Sequence, residues 1–215
     1  DPTVHDGRFA NNGWLQELPK PVTKITWDNA VYLSPAAAEK LGVSNEHLVT
    51  VEAGNRQVKA PVWILPGQAE ETITLHLGYG RTKAGEVGTD RGFDANRLRT
   101  SGQFWQVSGV SVQRAWGSRK LACTQHHNSM EGRDLVREAT LSEFVKNPDF
   151  ARGKADPGPE ETLYKTPQSE DYAWAMTIDL NRCSGCNACV IGCQSENNIP
   201  VVGKEQVLKG REMHW

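Results

Sequence analysis

Four of the five cysteines lie in one short run, Cys183-Ser-Gly-Cys186-Asn-Ala-Cys189-Val-Ile-Gly-Cys193. This spacing is the ligand pattern of bacterial iron-sulfur sites, and it points to electron transfer. Ser184, Gly185, Asn187 and Ala188 between the sulfurs are small or turn-forming, so the backbone can curl around a cluster and aim N–H groups at it. In two-cluster proteins the fourth cysteine of such a run ligates the other cluster. Cys183, Cys186 and Cys189 are therefore expected to share one 4Fe-4S cluster and Cys193 to serve another, at least two clusters in all. A second cysteine run to complete them does not occur in the 215 residues. The chain opens at Asp1 without a methionine and stops about twenty residues after Cys193, and is read as an internal piece of a longer polypeptide.

Other chemistry for these thiols fits less well. Structural zinc sites deliver ligands as two pairs separated by a longer loop, which the short consecutive gaps do not do. A disulfide framework belongs to small domains that lack a sufficient core, and this chain is too long to need one. The CxxxCxxC order of radical enzymes is absent. Cys123 stands alone and reads as a small buried apolar residue. His126 and His127 are adjacent, so they point in different directions on most backbones, and no second pair stands near them in the sequence; His214 gives no ligand spacing either.

The composition is that of an ordinary folded chain of one or two domains, with 38% hydrophobic and 23% charged residues and a formal net charge of -2. Lysine and arginine are dispersed and the isoelectric point is near 6.3, which argues against a nucleic-acid partner. No apolar stretch approaches the roughly twenty residues of a membrane helix.

The elements ahead of the cysteines read as mainly β with short helices. Lys24 to Trp27 and Val31 to Leu33 are short strands. Ser34 to Gly42 is a helix with its punctuation in place: Ser34 as N-cap, Pro35 at the first position and Gly42 as a left-handed stop. His47 to Ala53 and Gln57 to Leu65 flank Gly54-Asn55 as a hairpin, with Val49 and Val51 on one face. Pro66-Gly67 is a turn, and Ile73, Leu75 and Leu77 face one way along the next strand. Short strands broken by glycine and proline suggest a closed or nearly closed barrel, its last strand running from Gly109 to Arg114. The glycine-rich Gly78 to Gly88 loop with Arg81 could cradle a phosphate or serve as a plain connection; it has neither a P-loop ending nor GxGxxG. Thr140 to Lys146 predicts a short helix with Thr140 and Glu143 forming a capping box. Pro148 to Pro167 has linker composition.

Several runs carry a family resemblance. Asp6 to Pro19, Thr26-Trp27-Asp28-Asn29, Pro66-Gly67-Gln68 and Gly78-Tyr79-Gly80-Arg81 resemble the C-terminal, pterin-dinucleotide-binding domain of molybdopterin oxidoreductases. Ala122 to Arg133, Val136 to Leu141, Met176 to Pro200 and Gly210 to Trp215 resemble the linking region and cluster domain of the iron-sulfur subunit of bacterial alternative complex III, where a molybdopterin-enzyme-like half is fused to a ferredoxin-like half. That resemblance covers nearly the whole chain. It implies a double-psi-like β-barrel over residues 1–118, a linking region over 119–172 and the start of a ferredoxin-like α+β cluster domain over 173–215.

What the resemblance implies for function is electron transfer through 4Fe-4S clusters in a membrane-associated, quinol-oxidising respiratory complex. The barrel would act as scaffold without molybdopterin, and this segment would hold no catalytic centre. Its partners would be quinol-binding membrane subunits and cytochrome c subunits, at the periplasmic face of the bacterial inner membrane. The rival reading is the iron-sulfur part of a working molybdopterin oxidoreductase of the polysulfide or tetrathionate reductase type, with a zinc-bearing interaction module as a third.

Overall fold

The computed structural model describes residues 1–127, 129–133, 137–151, 163–164, 172, 176 and 178–215. They form two compact units, Asp1–His126 with Ser184–Trp215, and His127–Cys183.

The first unit is built on a five-stranded sheet. In β3 (His47–Ala53) Val49, Val51 and Ala53 are buried while the residues between them are half-exposed, the period of a strand with one face in the core. The next strand, β4 (Arg56–Ile64), pairs antiparallel with it, Val49 opposite Ala60 and Val51 opposite Val58. Gly54 adopts the left-handed φ of +59° that the tight connection requires. Two strands lie beyond β4: β2 (Val31–Leu33) runs parallel to it and β5 (Thr74–Leu75) runs antiparallel to β2. On the other side, β6 (Ser111–Ser118) is an edge strand against β3, with a register shift between His47 and Val49. A separate two-stranded ribbon joins β1 (Ile25–Thr26) to β7 (Ala122–Cys123).

Helix α2 (Pro35–Leu41) has the expected ends. The Ser34 side chain accepts from Ala37 N, and Gly42 closes the helix at φ +62° with its N–H directed to Ala38 and Glu39 carbonyls. It buries Ala38 against the sheet core of Leu33, Val49, Val51 and Val62. Ile73, Leu75 and Leu77 pack on the same core as expected, although only Thr74 and Leu75 pair as a strand.

One expectation is corrected. The strand expected over Gly109 to Arg114 spans Ser111 to Ser118, since its pairing with β3 continues to Ser118 opposite His47. Ahead of that strand Ala95–Leu98 form a 3-10 helix, started by the Asp94 side chain accepting from Asn96 N, and it buries Ala95 and Leu98. By packing, residues 119–126 belong with the first unit because β7 pairs with β1, and residues 184–215 pack with it too.

In the second unit α4 (Leu141–Lys146) shows the expected capping box. Thr140 Oγ1 accepts from Glu143 N, and the Glu143 carboxylate accepts from Thr140 N at 2.8 Å. Phe144 and Phe150 meet edge to face with centroids 6.4 Å apart. Pro157, Pro159 and Pro167 of the expected linker lie outside the described residues.

Candidate metal centre

Cys189 and Cys193 both lie on α5 (Ala188–Glu196), four residues apart and so on one helical face. Cys186 sits just before the helix. Gly185 and Asn187 on either side of it have left-handed φ values of +68° and +62°, so the chain curls here as the small spacers predict. Cys183 closes the second compact unit, its N–H bonded to Asp179 O at 3.0 Å. Cys183, Cys186, Cys189 and Cys193 are all exposed and none is in a disulfide.

The Cys186 thiol is held below its usual pKa, first by the Ala188 N–H and then by the Ser184 hydroxyl. Both favour thiolate, the form that binds metal. The donor set therefore suits an iron-sulfur cluster, for which soft thiolates are the natural ligands. The described residues do not draw three such side chains together: no group of three or more His, Cys, Asp or Glu among them is placed to hold a metal ion. Of the predicted ligands, only Cys189 and Cys193 share a common helical face.

Cys123 is what the sequence suggests. It is buried in β7, its Sγ donates to the carbonyls of Thr23 and Gln125 at 3.4 and 3.0 Å, and burial pushes its thiol pKa up. A buried thiol of this kind is unreactive.

Sequence reasoning missed the residues that hold the cysteine helix in place. Helix α1 (Gly13–Glu17) ends on Glu17, which is buried and accepts from Val202 N at 3.1 Å, Gly203 N at 2.7 Å and Trp27 Nε1 at 3.2 Å. Trp14 Nε1 donates to Ile199 O at 2.6 Å, and Asn187 Nδ2 to Pro19 O at 2.9 Å. Asp28, also buried, forms an ion pair with Lys204 and lies 3.1 Å from Arg119 Nη2. Val207 of α6 (Lys204–Leu208) packs with Trp27 and Ala122. No local pattern marks these residues, because Glu17 and Val202 are 185 positions apart and Asp28 and Lys204 are 176 apart.

The glycine-rich loop is packed tightly against its own unit. A Cβ on Gly80 would stand 2.1 Å from Asp94 N, at φ +77°, so this glycine serves a close backbone approach. Arg81 lies over Gly7 and its Nη2 donates to Asp6 O at 3.0 Å. The loop ends in α3 (Gly85–Gly88), where Asn11 accepts from Val87 N at 3.0 Å. An open cleft of about 360 Å³ remains, lined by Tyr79, Gly80, Arg81, Thr82, Lys83, Asp94 and Asn96. Its walls mix two cations with the Asp94 carboxylate, and part of the loop's glycine and arginine chemistry is already used within the fold.

Comparison with known proteins agrees with both halves of this picture. Residues 8–112, a little under half of the chain, match the family described as the Molydopterin dinucleotide binding domain, which fits a mainly β fold of the double-psi barrel type. The chain is 28% identical over 112 residues to the thiosulfate reductase molybdopterin-containing subunit PhsA of Salmonella typhimurium, a stretch covering 48% of this chain and 14% of that one. It is 62% identical over 26 residues to the menaquinone reductase iron-sulfur cluster-binding subunit of Nitratidesulfovibrio vulgaris, covering 12% of this chain and 10% of that subunit. A third relative is a selenate reductase subunit of Mesobacillus selenatarsenatis, 47% identical over 36 residues, 17% of this chain and 12% of the relative. The chain thus spans less than a fifth of the length of each of these relatives. Its similarities are to a molybdopterin-containing reductase subunit and to subunits of multi-subunit reductases.

Proposed function

We propose that this chain belongs to an electron-transfer subunit of a membrane-associated, quinol-oxidising respiratory complex on the periplasmic face of the bacterial inner membrane. The single observation that carries the reading is the cysteine run following a molybdopterin-dinucleotide-type β unit in one chain. Cys183, Cys186 and Cys189 would hold one 4Fe-4S cluster and Cys193 another. Bound clusters supply one-electron carriers, so that the two electrons released as a quinol becomes quinone and two protons pass singly to a cytochrome c. The chain's own contribution is to supply thiolates, curl the backbone at Gly185 and Asn187, and fix α5 on the β unit. In this reading the β unit is a scaffold: Gly80 serves a close approach to Asp94 N and one Arg81 nitrogen donates to Asp6 O. Quinol-binding membrane subunits and cytochrome c subunits are the partners it requires.

Electron paramagnetic resonance of the full-length protein tests the ligand assignment. Cys183→Ser should perturb one cluster signal and Cys193→Ser a different one; identical losses from both would overturn the two-cluster assignment. The similarity to PhsA favours a second reading, an iron-sulfur part joined to a working molybdopterin oxidoreductase. Metal analysis separates the two. Iron and sulfide alone agree with the scaffold, whereas stoichiometric molybdenum or tungsten with pterin would overturn it.

A further inference from the structure

The cysteine helix α5 buries only Gln194, so its own packing does little to fix it. Its flanks are held instead. Asn187 ties the entry to Pro19 O, while Ile199, Val202, Gly203 and Lys204 tie the exit to Trp14, Glu17 and Asp28. Glu17 and Asp28 are buried acids. If the segment left, Glu17 would lose both backbone donors from Val202 and Gly203, and Asp28 would lose the Lys204 ammonium. Leaving a buried carboxylate short of partners is costly, and charge-assisted hydrogen bonds are the stronger kind. These acids therefore make the docked segment the favoured state, and by directional contacts that set its orientation as well as its position.

We propose that Glu17 and Asp28 are positioning residues for the iron-sulfur ligands: they clamp the chain leaving α5 so that the helix face bearing Cys189 and Cys193 has one orientation on the β unit. The inference rests on the proposed cluster chemistry and adds to it a role for two acids outside the cysteine run. It makes the β unit part of the cluster's support, because an α5 free to swing would carry its sulfurs with it. Asn187 serves the same end from the other side of the helix, which is why both flanks and not one are tied.

The test uses the full-length protein with Glu17→Gln on one side of the clamp and Lys204→Gln on the other. Hydrogen exchange before reconstitution should show amides between 188 and 203 opening about tenfold faster, with the β3 and β4 amides unchanged. After reconstitution with ferrous iron and sulfide, a chelator should strip iron about tenfold faster from both variants, and the resonance line shape of the reduced protein should broaden. Unchanged exchange between 188 and 203 in both variants would overturn the clamp. Faster exchange with unaltered iron retention and line shape would show a structural staple and overturn the positioning role. Should Glu17→Gln also loosen β3 and β4, Lys204→Gln decides, since the side chain it replaces belongs to the docked segment and Asp28 keeps Arg119 beside it. An unsubstituted protein that takes up neither iron nor sulfide sinks the proposed function together with the positioning role, while one that takes up both yet is indifferent to the two substitutions sinks the positioning role alone.

Discussion

The β3–β4 sheet and the cysteine helix α5 belong to one compact unit but are held by different physics. In the sheet, Val49, Val51, Val58 and Val62 are buried, and the strands stay together through non-directional burial spread over many contacts. In α5 Cys189 and Cys193 are exposed and the helix is fixed at its ends by a few polar bonds to Trp14, Pro19 and Glu17. The first arrangement tolerates small displacements; the second fixes orientation and depends on individual atoms. The proposed cluster role, which needs sulfurs held at set positions yet accessible, calls for the second.

Truncating the sheet core should break the comparison most strongly. Leu33 is almost wholly buried in the sheet core, so Leu33→Ala should lower the unfolding free energy by about 2–5 kcal/mol, read as a shift of the urea midpoint. Ile191 on α5 is only half-buried, and Ile191→Ala should cost less than about 1 kcal/mol. Equal losses from the two would mean that α5 is held by apolar burial after all.

Charge placement gives the next contrast. Lys20 is wholly buried in the β unit, donating to Tyr79 Oη at 2.9 Å, and burial pulls its pKa down from 10.5 to about 8 against the opposing pull of Tyr32 and Asp28. The unfolded chain keeps this proton up to its ordinary lysine value, whereas the folded chain releases it above about 8. Between those values the unfolded state binds more protons, so stability rises with pH. From pH 8 to 10 the gain should be about 2–3 kcal/mol and should vanish in Lys20→Met. Above pH 10 Tyr79, whose pKa burial raises, acts in the opposite sense, because the folded chain then retains a proton the unfolded chain has lost. Denaturant titrations across the range check both slopes; a rise of equal size in Lys20→Met would assign it to other groups.

Legibility in the sequence follows the same divide. Whatever is set by neighbours along the chain was readable: the Ser34 to Gly42 helix with both its ends, the Gly54 hairpin with Val49 and Val51 facing inward, and the Thr140 capping box. The curl at Gly185 and Asn187 was readable for the same reason. The burial of Ala95 and Leu98 was hidden by the charged residues around them, because polar composition does not reveal a short turn tucked under a sheet. Nor could Glu17 or Asp28 be singled out. A carboxylate whose partners are 185 or 176 positions away looks like any other acid, and the clamp exists only once the chain has returned on itself.

The smallest effect is expected where neither kind of support is present. Helix α4 in the second unit buries no residue and is only six residues long, too short to be stable in isolation without help from its ends. Its N-terminal capping box supplies that help, so Thr140→Ala should speed amide exchange at Phe144 and Asn147 about fivefold, those N–H groups being bonded to Thr140 O and Glu143 O. Acid should act likewise. The Thr140 N–H and hydroxyl hold the Glu143 carboxyl below its ordinary pKa, so its contribution is present above the unfolded value and is lost as pH falls through the lower, folded one. Exchange measured at a series of pH values, corrected for the intrinsic rate, should therefore show the unsubstituted helix converging on Thr140→Ala as Glu143 protonates. If the two curves stay parallel down to the lowest pH, the Glu143 half of the box contributes nothing and α4 is held by the Phe144 to Phe150 contact instead.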